Sequence, residues 1–114
     1  MKDYLFAFRS EDYTKPSTAT AENAAALTQR WMDWVSGIAA DGKLASRGNR
    51  LHASGKVVKP KGVITDGPYS EIKEALGGFI VVKADSLEEA AEIAKGCPIF
   101  EIGGNVEVRE LMVV

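Results

Sequence analysis

The stretch that decides the fold is Val63-Ile64-Thr65-Asp66-Gly67-Pro68-Tyr69-Ser70-Glu71-Ile72-Lys73-Glu74-Ala75-Leu76-Gly77-Gly78-Phe79. A short apolar run enters a tight Asp-Gly-Pro-Tyr turn. A dense acid/base segment follows, and a Gly-Gly break leads into the most apolar strand of the chain. Asp accepts bonds from backbone N–H groups ahead of it, Gly admits positive φ, and Pro fixes its own φ near about −65°. Glu71, Lys73 and Glu74 crowd their charges together at the mouth of the expected core. That density exceeds what a connector requires, so any site is placed here. The competing reading is a rigid connector with a solvated charged turn.

Working outward, Phe79-Ile80-Val81-Val82 is apolar on both faces, and so is the strand at 4–9, where Tyr4, Phe6 and Phe8 alternate with Leu5 and Ala7. Strands of that kind sit centrally in a sheet. Between them, residues 10–20 read as a polar loop ending in a helix cap at Thr18 or Thr20. A helix follows from 21 to about 41, with Ala24, Leu27, Trp31, Trp34, Val35 and Ile38 on one stripe and Gly42 as its stop. Both tryptophans fall on that stripe, which makes them core rather than a ligand platform. Residues 44–53 form a polar strand near an edge, with Gly48 as a bulge or bend. Residues 56–59 return as a hairpin arm, interrupted by Pro60-Lys61-Gly62.

Beyond the second apolar strand, Asp85 or Ser86 caps a second helix, and Ser86-Leu87-Glu88-Glu89 fits a capping box. Its thin stripe is Leu87, Ala90, Ala91 and Ala94, with Ile93 beside them, and Gly96-Cys97-Pro98 ends it. After a short loop, the last strand alternates Val106 and Val108 with Glu107 and Arg109, then runs into an apolar tail. The order strand, helix, strand with an arm, strand, helix, strand predicts an α+β fold. It is the ferredoxin-like split βαβ, an antiparallel sheet with both helices on one face. Two helices leave the other face of two doubly apolar strands open, and a second copy is the simplest cover.

The chain has 114 residues, one domain's worth, read as a single domain over 1–114. It is 46% hydrophobic and 26% charged, with a net charge of −2. Acids and bases read as interspersed, which argues against direct nucleic-acid contact. A single cysteine excludes an intramolecular disulfide. With no signal-peptide core at the start and no long apolar run, the expectation is a cytoplasmic protein with no membrane contact.

Elimination narrows the chemistry. His52 is the one histidine and has no second ligand at metal spacing, so it reads as a structural or solvated side chain. Cys97 follows a helix C-terminus, where the dipole disfavours a thiolate. Cys97→Ala and His52→Gln are therefore expected to keep ligand affinity or activity within a few-fold, measured on folded protein. No phosphate-binding glycine fingerprint, metal cluster or cofactor motif is present, and no cofactor is expected. Asp66, Tyr69, Glu71, Lys73, Glu74 and Arg109 remain. Asp66, Tyr69, Glu71 and Lys73 are expected to close one end of a ligand pocket, with Arg109 reaching it from the last strand. The Arg fork suits a carboxylate, either a ligand's or that of Asp66 or Glu71.

Asp66-Gly67-Pro68-Tyr69, Glu71, Lys73, Glu74, Leu76-Gly77-Gly78-Phe79 and Gly104-Asn105-Val106-Glu107-Val108-Arg109 together resemble the DGPF subfamily of YCII-related domains. Tyr69 stands where that subfamily usually has Phe. The resemblance implies a dimeric α/β barrel of ferredoxin-like protomers, mostly of unknown function, with some members labelled as sigma-factor-associated. Better-understood relatives include a dehydrochlorinase and proteins with a proposed His–Asp pair. Their His lies on the first helix and their Asp before a proline after the second. Here the first helix has no His and Cys97 precedes Pro98, so that chemistry is not carried over. General acid/base work would fall to Asp66, Glu71 or Tyr69. The leading expectation is a homodimer binding a small polar ligand, whether as enzyme or sensor. The alternatives are an accessory module docking on a sigma factor or other transcription protein, and a lyase or isomerase with a carboxylate base.

Overall fold

The first helix begins where the chain first finds a side-chain acceptor for its unpaired amides. Thr20 Oγ1 accepts from the Asn23 amide at 3.1 Å, and α1 runs Ala21–Ala40. It ends at Gly42, whose φ of +73° lets the Gly42 and Lys43 amides turn back onto the Ala39 and Ile38 carbonyls, both at 3.0 Å. The structure, a computed structural model, describes residues 1–11, 20–67 and 75–113. Thr18, the alternative cap, lies outside them.

The strands are β1 (Lys2–Ser10), β2 (Leu44–Arg50), β3 (Gly55–Lys59), β4 (Val63–Gly67), β5 (Ala75–Ala84) and β6 (Asn105–Glu110), with α2 at Leu87–Ala94 between the last two. Four of them form one antiparallel sheet in the order β2-β5-β1-β6. The two doubly apolar strands are thus its central pair and the polar strand is an edge, as the patterning predicts. This is the split βαβ connectivity of an α+β fold. The sheet is open rather than closed into a barrel.

Helices cover one face of it. Tyr4, Phe6 and Phe8 of β1 and Ile80, Val82 and Ala84 of β5 are buried against Ile38 of α1 and Ala90 and Ala94 of α2. Full burial of a side chain such as Phe6 or Ile99 contributes about 1.5–3 kcal/mol. Trp31 and Trp34 belong to this layer. Trp31 meets Phe8 edge-on at 4.8 Å between ring centroids, and Trp34 stacks toward Phe6 at 6.3 Å. The Trp34 indole N–H donates to the Ile93 carbonyl at 3.3 Å, tying α1 to the last turn of α2.

The opposite face carries Leu5, Ala7 and Arg9 of β1 beside Arg109, Glu107 and Asn105 of β6, in that register. Phe79 and Val81 of β5 pair with Ala7 and Leu5 on the same face.

Five expectations change. Gly77-Gly78 is not a break but the interior of β5, where Gly78 pairs with both Phe8 and Arg50. Ladders on both sides hold the glycines in the strand, and the surplus residue appears as a register shift opposite Phe8 and Arg9. Asp66 and Gly67 likewise continue β4, where cross-strand pairing with Lys56 and Gly55 outweighs their turn preference. The arm at 56–59, read as returning from the 44–53 strand, pairs instead with β4 in a two-stranded sheet of its own, which leaves Val63 and Ile64 exposed. The helix stripes are also narrower than read, with Ala24, Leu87 and Ala91 exposed. The buried rows are set by where each helix crosses the sheet, which the periodicity alone does not specify. Residues 99–103, read as loop, lie for the most part in a 3-10 turn over Pro98–Ile102 that buries Ile99 completely.

Candidate functional site

The β2 ladder ends at Arg50, which pairs with Gly78, and the Leu51 amide donates once more to the Gly77 carbonyl at 2.9 Å. The chain then leaves the sheet through residues 52–54 and re-enters structure as β3. That departure opens a groove of about 810 Å³ lined by residues 50–56 on one side and 75–77 on the other. Its apolar part includes Leu51 and Leu76, both partly exposed, and its polar part is Arg50, His52, Ser54 and Lys56. Its volume falls in the range of small-molecule sites, roughly 300–1,000 Å³.

The groove lies at both ends of the segment singled out by sequence. Gly55, on its wall, pairs with Gly67, and Ala75 is itself a lining residue. Tyr69, Glu71, Lys73 and Glu74 lie between those ends, outside the described residues. Asp66 is exposed on β4 and accepts from Lys56 Nζ at 2.5 Å across the hairpin. Arg109 is on the uncovered sheet face, where it donates to Glu107 Oε2 at 3.3 Å. Glu107 also accepts from Arg9 Nε at 3.2 Å, and the two guanidiniums, Arg109 first, hold its carboxyl below the ordinary glutamate range. Among the described residues no contact joins Asp66 to Arg109.

His52 is exposed, as read, and it lines the groove. Cys97 is 3% exposed, and burial pushes its thiol up to about 12, which keeps it protonated and unreactive at neutral pH.

Sequence reasoning missed Arg50, His52, Ser54 and Lys56 as a group. A signal for them exists. From residue 43 to residue 65 the chain carries Lys43, Arg47, Arg50, Lys56, Lys59 and Lys61 and not one Asp or Glu. The interspersed charge inferred from overall composition does not hold for this stretch. Lys43 is paired with Glu89 at 3.1 Å and Lys56 with Asp66, while Arg47, Arg50, Lys59 and Lys61 have no ion pair among the described residues.

A family model for the YCII-related domain matches residues 10–114, nearly the whole chain. The protein belongs to the YCII-related domain family. A search of curated proteins gave no match. In this YCII-related domain the groove therefore has to be read from its own residues. Among those described, no group of His, Cys, Asp and Glu is placed to hold a metal ion. The described lining supplies hydrogen-bond donors and an apolar wall in one groove.

Proposed function

We propose that this protein is a DGPF-type YCII-related domain that works as a homodimer and binds a small polar ligand in the groove beside Asp66-Gly67-Pro68-Tyr69. The observation that carries the reading is that both flanks of 68–74 stand at one groove of ligand-binding volume, Ala75 as a lining residue and Gly67 as the cross-strand partner of the lining residue Gly55. Asp66, Tyr69, Glu71 and Lys73 are the proposed ligand contacts from that segment. Arg109 is the fifth, in competition with its partner Glu107.

The dimer is supported by the sheet face opposite the helices, which no described element covers. Leu5, Ala7, Phe79 and Val81 form an apolar strip there, bordered by Arg9, Glu107 and Arg109. Two such faces in contact would give a dimeric α/β barrel and bury a surface that a chain of this size can ill leave to water.

Mass spectrometry of the purified protein, first under native conditions and then denatured, is the test. The expected result is a dimer mass carrying a small polar molecule that is released on unfolding. A ligand-free monomer at micromolar concentration would reject both halves of the reading. Arg109→Ala separates the two roles of that residue. Weaker ligand retention with an unchanged melting temperature assigns it to the ligand; earlier melting with unchanged retention leaves it to Glu107.

A further inference from the structure

We infer that the ligand of this groove carries an oxyanion, a carboxylate or phosphate group on a partly apolar body, and that Arg50 is the residue that recognises it. The inference rests on the groove being the ligand site and adds its chemical class. Four observations support it.

The described lining contains Arg50, His52 and Lys56 and no acid. Arg50 is exposed and has no partner among the described residues, so its planar donor fork is uncommitted. Asp66 offsets Lys56 and is not among the described lining residues, so the oxyanion belongs at Arg50, and the carboxylates of Asp66 and Glu71 are left for donor groups elsewhere on the ligand. The acid-free run from 43 to 65 extends the positive potential beyond the groove through Arg47, Lys59 and Lys61, which draws anions toward it. The chain as a whole has a net charge of −2, so this segregation is local and not a consequence of composition.

The remaining lining residues define the rest of the ligand. Ser54 offers a hydroxyl, and the amides of 52–54 make no backbone hydrogen bond among the described residues, so donors flank the guanidinium. Leu51 and Leu76 leave apolar surface in the same groove. A small anion with an apolar portion satisfies both sets. A polyanion such as duplex nucleic acid would use the charge but not the concave apolar wall.

The test is a titration of the full chain, labelled with nitrogen-15, with benzoate, phenyl phosphate, the neutral isostere benzamide and a short DNA duplex, each followed by amide shifts. Benzoate or phenyl phosphate should move the amides of His52, Ala53, Ser54, Leu76 and Gly77. Benzamide should bind about tenfold more weakly, the effect of removing one charged hydrogen-bonding partner. That preference should shrink with added salt and disappear in Arg50→Gln, while Arg47→Gln, outside the groove lining, should keep it. Arg50 is exposed, so its variant should melt as the wild type does. Benzamide binding as tightly as benzoate would overturn the oxyanion and leave the groove as the ligand site. If no small probe moves groove amides at millimolar concentration, both readings fall. Shifts produced by the duplex alone, spread over residues 47, 59 and 61, would replace the small anion with a polyanion.

Discussion

Gly48 shows how one residue sets the edge of the sheet beside the groove. Its φ is +56°, and a Cβ there would run into the Phe79 carbonyl oxygen on the neighbouring strand. Gly48→Ala should therefore destabilise the fold by about 3 kcal/mol or more through backbone strain and overpacking together, read by urea denaturation. The bulge was legible in sequence as an isolated glycine in a polar strand; the opposing carbonyl was not. Glu107 makes a prediction of the other kind. Its folded-state pKa lies below its ordinary value because Arg109 and Arg9 donate to it. Such a group stabilises the fold above its unfolded pKa, and that contribution is lost as pH falls through the folded one. The melting-temperature difference between wild type and Glu107→Gln should thus be present at neutral pH and vanish in acid. All three side chains are partly solvated, so the difference should be small. A difference that grows on acidification would contradict the assignment.

The hairpin of β3 and β4 is the element least explained by its own contacts. Two-stranded sheets are marginal in water, and this one leaves the Val58–Ile64 cross-strand pair 70% and 62% exposed. The radius of gyration, 15.4 Å, exceeds the roughly 13 Å expected of a compact chain of this length, in keeping with an arm that stands off the main sheet. That 56–59 is a hairpin arm was legible; its partner was not, because the arm read as returning from the 44–53 strand, whereas β3 pairs with β4 across Pro60-Lys61-Gly62. Its separation from the core was not legible either, because exposed and buried valines look alike in sequence. The short α2 is the opposite case. The Ser86 hydroxyl accepts from the Glu89 amide at 3.1 Å, and the Glu89 carboxylate goes to Lys43 rather than back to its own cap. Ser86→Ala should cost about 1 kcal/mol in thermal or chemical unfolding. A neutral result would mean that burial of Ala90 and Ala94 holds the helix without its cap.

For the whole molecule, the question is what covers the second sheet face. Val81 lies on that face, half-buried, paired with Leu5 and with Ser46. A charge introduced there would have little effect on a monomer but would be desolvated in the proposed dimer. Val81→Lys should therefore yield a folded monomer by light scattering and circular dichroism, where wild type gives a dimer. A dimeric Val81→Lys would move the interface elsewhere, and the exposed hairpin and the apolar tail at 111–113 would be the next surfaces to test.

The local and periodic features were determined by the chain's own order of residues. The doubly apolar strands had to be central, a helix had to start near Thr18 or Thr20 and another near Asp85 or Ser86, and the tryptophans had to face the core. Each of these follows from interactions within a few residues or from a repeat matched to strand or helix geometry. The choice of Thr20 and Ser86 came from the structure. The site was only half legible. The density of charge at 66–74 drew attention to a segment whose described flanks, Gly67 and Ala75, stand beside the groove, because unusual composition in a connector is visible without coordinates. Arg50, His52, Ser54 and Lys56 came together as the lining of one groove only because β2 ended against Gly78 and the chain left the sheet there. Where a strand stops pairing depends on the length and position of its neighbours, and those are fixed by packing between segments far apart in sequence.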